Sequence, residues 1–254
     1  MFYLEGQVKL AAPLPRPSAL RDFFAFERHA KQGAARRGET LLKEWYELPA
    51  YYKGNHREIY GPDAEIPWPS YTRRLDFELE VACVIGKIGR NLTPQEAKKH
   101  IAGYTIMNDV SARDIQKKEM MTRMGPAKGK DFASCLGPYL LTADELPSLD
   151  RLAMTVRVNG QVWSRGKFTD CFWNFPLMIS HVSQEETVYP GDVFGSGTFF
   201  TGCGLDLNRW IKPGDRLELE VTGLGRLRNR VGRPKGSRPL YYEGRSHTRA
   251  TGWK

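Results

Sequence analysis

Between Leu75 and Ile85 the chain reads Leu-Asp-Phe-Glu-Leu-Glu-Val-Ala-Cys-Val-Ile, with acids alternating among apolar residues before the run turns wholly apolar. A period of two marks a β-strand. It puts Glu78 and Glu80 on one face, while Phe77, Leu79 and Val81 line the other. A strand this apolar belongs in a core, so the fold has to bury a sheet and still accommodate two neighbouring carboxylates. Like charges at that spacing repel, and a low dielectric enlarges the repulsion or forces a proton onto one of them. A divalent cation relieves the conflict, and an all-oxygen donor set suits Mg²⁺, Mn²⁺ or Ca²⁺ better than zinc. The plainer alternative is a solvent-facing strand whose glutamates pair with Lys or Arg.

The rest of the pattern is mixed. Residues 21–48 read as mostly helical, with interruptions near Gly33 and Gly38, and residues 53–70 read as loop. Thr93-Pro94-Gln95-Glu96 combines an N-cap, a proline at N1 and a glutamate at N3, so a helix begins there. Residues 102–108 form a strand and 111–121 a helix starting at Ser111. Further on, 152–158 and 161–163 flank the hairpin signal Asn159-Gly160, 174–183 suits a short helix, and 193–200 and 216–222 are strands. Regular βαβ alternation is missing, so an α+β domain rich in sheet is expected rather than a doubly wound one. Residues 1–20 read as an extended, proline-rich lead-in, 21–225 as the main folded domain and 226–254 as a basic extension.

Composition narrows the function classes. The 254 residues are 41% hydrophobic and 26% charged, ordinary for a globular protein. The four cysteines, Cys83, Cys135, Cys171 and Cys203, lie far apart with no C-x-x-C pair, which argues against a zinc ribbon and for a reducing, cytoplasmic setting. No apolar stretch has the length a bilayer needs, and the first residues lack the layout of a signal peptide. The net charge of +9 invites a nucleic-acid partner. Nine basic residues against the single acid Glu243 in 226–254 account for nearly all of it, however, and the first 225 residues are almost neutral. Such a tail reads as a solvated extension, so nucleic-acid binding is disfavoured. Arg226, Arg228 and Arg230 alternate, as on one face of a closing strand.

Other acids and bases add to the glutamate pair. Asp109 ends an apolar strand just before a helix, where an N-cap would also stand. Arg113 and Gln116, three apart, share a helical face. Lys128 and Lys130 occupy the loop Gly125-Pro126-Ala127-Lys128-Gly129-Lys130-Asp131. Carboxylates with Arg, Lys and Gln nearby suit a small oxo-acid anion. The rival, phosphate binding, lacks the P-loop spacing.

Taken together, Leu75-Asp76-Phe77-Glu78-Leu79-Glu80, Asn108-Asp109-Val110-Ser111-Ala112-Arg113-Asp114-Ile115-Gln116, Gly129-Lys130-Asp131-Phe132 and Gly195-Ser196-Gly197-Thr198 resemble the fumarylacetoacetate hydrolase family over roughly residues 20–225. The resemblance implies a β-rich roll of mixed sheets, like that family's C-terminal domain, usually assembled as a homodimer. It implies Asp22, Glu78, Glu80 and Asp109 as ligands of Mg²⁺ (or Mn²⁺ or Ca²⁺), His29 as general base, and Asp206 in place of the glutamate that orients it. Lys130 and Gln116 match catalytic positions, and Arg37, Tyr52, Arg113 and Thr198 match substrate contacts. Phe24 stands where a substrate tyrosine is expected, and the separate N-terminal domain of the full-length enzyme has no counterpart. The activity implied is metal-dependent cleavage of a C–C bond in a 1,3-diketo acid. The alternative is decarboxylation, hydration or isomerisation of a 2-oxo acid. Without the resemblance, His29 reads as an exposed helix histidine.

Overall fold

Seven strands join into one mixed sheet in the computed structural model, which describes residues 7–146 and 148–236. Their spatial order is Tyr51–Gly54, Ala19–Phe23, Asp192–Gly195, Leu79–Ile85, Ile101–Asp109, Ser134–Thr142 and Ile59–Tyr60. A second sheet of five runs Gln161–Lys167, Ala153–Val158, Arg216–Val221, Gly225–Val231 and Glu65–Ile66. Leu75–Asp76 pairs with Ser111–Ala112 in a separate ribbon. The architecture is α+β with mixed sheets, as expected. No helix of the described residues is long and apolar enough to cross a membrane.

Alternation decides what each face of the large sheet does. Phe77, Leu79, Val81, Cys83 and Ile85 enter the main core together with Met154, Val156, Leu217, Leu219 and Val221 of the second sheet. The opposite face carries a smaller cluster: Leu20, Ala82, Val84, Met107, Leu136 and Val193. Because side chains repeat every second residue, Asp22, Glu80 and Asp109 share that second face with Leu20, Ala82 and Met107. The acids therefore begin where the small apolar cluster ends.

Several elements differ from the sequence reading. Residues 21–48 do not open with a helix. Ala19–Phe23 is a strand, pairing parallel with Asp192–Gly195, and helices occupy only Glu27–Ala35 and Glu44–Glu47. The long-range pairing buries Leu20 and Phe23 on opposite faces, a gain that no local propensity registers. Residues 53–70 hold short strands that edge both sheets. The strand begun at Asp192 stops at Gly195, where Ser196-Gly197 turns the backbone, with Gly197 at a φ of 77°. Ser111 belongs to the ribbon, and the helix starts at Arg113. Ser134–Thr142 is a strand the pattern did not reveal. The sheet also continues past residue 225 to Val231, taking in the alternating arginines, whereas 237–254, most of the basic extension, lies outside the described residues.

The Pro94–Lys98 helix has its full capping box, the Thr93 hydroxyl accepting from Glu96 N at 3.3 Å and the Glu96 carboxylate from Thr93 N at 2.9 Å. Thr93→Ala should cost about 1 kcal/mol in the denaturant midpoint at unchanged slope. An unchanged midpoint would show that tertiary packing alone holds this helix.

Candidate active site

Strand register brings the acids together. Asp22 lies opposite Tyr52 on one side and Gly195 on the other, and Gly195 in turn faces Ala82, two residues from Glu80. Glu80 faces Met107, two residues from Asp109. Glu78 comes from the segment leading into its strand, fixed by a bridge to Cys203 and by Asn108 Oδ1, which accepts from its N–H at 3.1 Å. One ligand oxygen from each of Asp22, Glu78, Glu80 and Asp109 lies within 4.8 Å of all the others, and all four residues are buried. The four positions implied by the resemblance thus meet at one point.

Two cations neutralise part of this charge. Lys130 Nζ donates to Glu78 Oε2 at 2.7 Å and to Asp109 Oδ2, and Arg113 Nη2 donates to Glu78 Oε1 at 2.7 Å. Burial works against the Glu78 charge, but Lys130 and Arg113 outweigh it and hold the carboxyl well below its usual range. Burial also disfavours the Lys130 charge, and Asp109 and Glu78 reverse that, lifting its pKa. Lys130 thus serves Asp109 as well as Glu78, while Asp22 and Glu80 have no direct ion pair with a cation among the described residues. Burial, then Asp109, pushes Asp22 well up; burial, then Asp22 and Asp109, does the same to Glu80; Asp109 is raised by burial despite Lys130.

The donor set fits a hard divalent cation on three observations. Glu80 Oε1 and Asp109 Oδ1 are buried without a hydrogen-bond partner among the described residues, although buried carboxylate oxygens are normally satisfied. Gly195 keeps the floor of the site open. A Cβ there would stand 2.5 Å from Asp22 Oδ1 and 2.8 Å from Glu80 Oε2. The ligands are all oxygen, the preference of Mg²⁺, Mn²⁺ and Ca²⁺. Gly197 N–H donates to Glu80 Oε2 at 3.0 Å and to Asp22 Oδ1 at 3.3 Å, which aims both acids inward.

Beside the cluster stands an acid–base pair. His29, on the inner face of the Glu27–Ala35 helix, places Nδ1 2.7 Å from Asp206 Oδ2. The shorter aspartate therefore spans the distance expected of a glutamate. Thr201 N–H also donates to Asp206 Oδ2, and Arg36 Nη1 donates to Oδ1 at 2.8 Å. Burial opposes the Asp206 charge, but His29 and Arg36 overcome it and keep its pKa below the ordinary value. Phe24 meets the His29 ring edge-on at 5.3 Å. Cys203, which bridges to Glu78, brings its sulfur within 4.8 Å of ligand atoms of both His29 and Asp206, so the dyad stands next to the acids.

The remaining candidates divide. Tyr52 donates its hydroxyl to Asp109 Oδ2 at 2.9 Å, and Gln116 Oε1 accepts from Arg113 Nη1 at 2.9 Å. Thr198 donates to the Leu79 carbonyl at 2.9 Å and so locks the Gly-rich turn. Arg37 stays outside the cluster, half exposed and bound to Glu39 and the Gly33 carbonyl. Its neighbour Arg36 reaches Asp206 instead. Arg36 lies seven residues from His29, two helical turns, so helical spacing alone could have pointed to it. Asp76 was also missed. It extends the alternation Asp76-x-Glu78-x-Glu80 by one step, and is fully buried.

The profile of the fumarylacetoacetate (FAA) hydrolase C-terminal domain matches residues 18–232. The chain belongs to the fumarylacetoacetate hydrolase family. Among relatives of this family, the oxaloacetate tautomerase YisK of Bacillus subtilis is 30% identical over 236 residues, 91% of this chain and 75% of that protein. The human mitochondrial oxaloacetate tautomerase FAHD2A is 36% identical over 175 residues, 68% of this chain; the match spans 55% of that protein's length. A probable 2-hydroxyhepta-2,4-diene-1,7-dioate isomerase from Mycobacterium abscessus superposes with a TM-score of 0.75 at 27% identity, covering 92% of this chain and 82% of its own. Family members thus include isomerases as well as the hydrolase that gives the family its name.

Two outcomes test the cation site. Gly195→Ala should weaken Mn²⁺ binding by about tenfold or more in calorimetry, since its methyl would fill the space between two ligands; unchanged affinity would place the ion elsewhere. The raised pKa values of Asp22, Glu80 and Asp109 set a pH dependence. Their protonated forms favour the cation-free fold below the ordinary carboxylate range, and that stabilisation is lost as pH rises through the raised values. Cation binding needs the ionised forms. The rise in melting temperature on adding Mn²⁺ should therefore grow from acidic to mildly alkaline pH, and a constant rise would contradict the assignment.

Proposed function

We propose that the chain is a divalent-metal-dependent hydrolase that cleaves a C–C bond in a 1,3-diketo acid of the fumarylacetoacetate or acylpyruvate type. The observation that carries this reading is the His29–Asp206 dyad, 2.7 Å across, set beside four converging carboxylates. A metal ion held by Asp22, Glu78, Glu80 and Asp109 would act as a Lewis acid toward a carbonyl that chelates it. The residues supply the rest. Asp206 accepts from Nδ1–H, which leaves Nε2 of His29 as the basic nitrogen, and Nε2 takes a proton from water as the water oxygen bonds to the carbonyl carbon. The C–C bond then breaks and its electron pair departs into an enolate. Lys130, buried and held protonated, supplies positive charge near that enolate, and His29 returns its proton to the carbon. The net reaction adds water across one C–C bond and yields an acid and a ketone fragment. Phe24 packs an apolar edge on the base where a tyrosine hydroxyl was expected, which narrows polar recognition there.

A second reading draws on the names of the relatives. Tautomerisation or isomerisation of an oxaloacetate-like 2-oxo acid needs the same enolate and the same base, without attack by water. Mass spectrometry of products from a panel of diketo and 2-oxo acids separates the two, because hydrolysis gives two carbon fragments and isomerisation none. His29→Ala should spare Mn²⁺ affinity while lowering kcat by roughly 10²–10⁴-fold. Turnover that survives the change would move the base elsewhere, and turnover indifferent to chelation by EDTA would reject both readings.

A further inference from the structure

Asp76 touches neither the acidic cluster nor the dyad, yet its two carboxylate oxygens serve both. Oδ2 accepts from Arg113 Nε at 2.8 Å, and the same guanidinium donates to Glu78 at 2.7 Å. Oδ1 accepts from Gly204 N–H at 2.8 Å and Oδ2 from Leu205 N–H at 2.9 Å. These are the first two residues of the Gly204–Leu207 helix, the short turn that presents Asp206 to His29. Oδ1 accepts as well from Phe77 N–H at 2.9 Å, which anchors the carboxylate to the strand bearing Glu78 and Glu80. Asp76 is completely buried, so no water competes for these contacts. Gly204 is small for the same reason: a Cβ there would stand 2.5 Å from Asp76 Oδ1.

We propose that Asp76 is a positioning residue that sets the cation site and the acid–base dyad in register, one through Arg113 and the other through the start of the Asp206 helix. The inference rests on the reading of His29–Asp206 and the four carboxylates as one active site. A carboxylate suits the task because it accepts in two directions at once and carries the charge that orients a buried guanidinium, whereas a neutral side chain would give up one of these functions. Groups behind a metal ligand commonly govern affinity and activity this strongly.

Three variants separate the two arms, with two readouts that need no substrate. One is Mn²⁺ affinity of the metal-free protein by calorimetry. The other is the downfield Nδ1–H resonance of His29, a direct report on its bond to Asp206. Asp76→Asn should weaken Mn²⁺ binding by about tenfold or more and also shift or broaden the His29 resonance, with kcat falling more than KM rises. Arg113→Lys removes the Nε contact but leaves Gly204 and Leu205 bound to Asp76, so Mn²⁺ affinity should fall while the resonance stays. Leu205→Pro deletes one donor at a position in the first helical turn where proline is accepted, so the resonance should move while affinity stays. A folded Asp76→Asn protein that keeps either property overturns the proposal. If Asp76→Asn does not fold, the other two variants decide: opposite effects support the proposal, and the same effect in both overturns it. An enzyme inert toward diketo acids would reject the proposed reaction and leave these two measurements standing.

Discussion

Four carboxylates that must share one buried space impose the constraint around which the molecule is arranged. Asp22, Glu78, Glu80 and Asp109 repel one another in a medium that screens poorly, and the protein answers with graded compensation. Glu78 receives Lys130 and Arg113 and stays ionised. Asp22 and Glu80 receive backbone N–H from Gly197 and, beyond that, each other. What remains is a pair of buried oxygens without a partner and two acids, Asp22 and Glu80, pushed well toward the protonated form, the electrostatics that a cation would relieve. Leaving charge uncompensated is costly to a fold, and it is placed where a ligand removes the cost.

The same arrangement explains why the two halves of the chemistry sit close together without sharing ligands. Asp22, Glu80 and Asp109 lie on a sheet face, where register holds them, and His29 and Asp206 come from the Glu27–Ala35 and Gly204–Leu207 helices. Arg36 and Thr201 restrain Asp206 so that its free movement is spent before any substrate arrives. Tyr52 bonds to Asp109 and Phe24 packs on His29, so a polar ring adjoins the acids and an apolar ring the dyad.

Much of this was legible from the residues. The alternation around Glu78 and Glu80 revealed the strand and the paired charges. The Thr93 capping box and the Asn159-Gly160 hairpin also stand as the local chemistry indicates. The Ala19–Phe23 strand was not legible, because it lies between two partners, one of them more than 170 positions away, that nothing in its own composition names. Ser134–Thr142 escaped for a related reason: its pairing with Ile101–Asp109 shifts register between Tyr104 and Ile106 and blurs any simple alternation. Within the site, resemblance by alignment favoured Arg37 over Arg36, and only the pitch of the helix resolves which of the two faces inward. Asp76 stood in plain view in its motif, but its role depends on backbone N–H groups from a distant helix, and a sequence does not display those.

The parallel pairing of Ala19–Phe23 with Asp192–Gly195 has a consequence for biosynthesis. Asp22 leaves the ribosome more than 170 residues ahead of Gly195, Gly197 and Asp206. The first ligand gains the Tyr51–Gly54 strand early, but its parallel partner and the glycine floor only after some 170 further residues are made. Contacts of such long range slow folding. A nascent chain halted between Asp109 and Gly195 would hold the four acids and the histidine but neither the glycine floor nor the aspartate of the dyad.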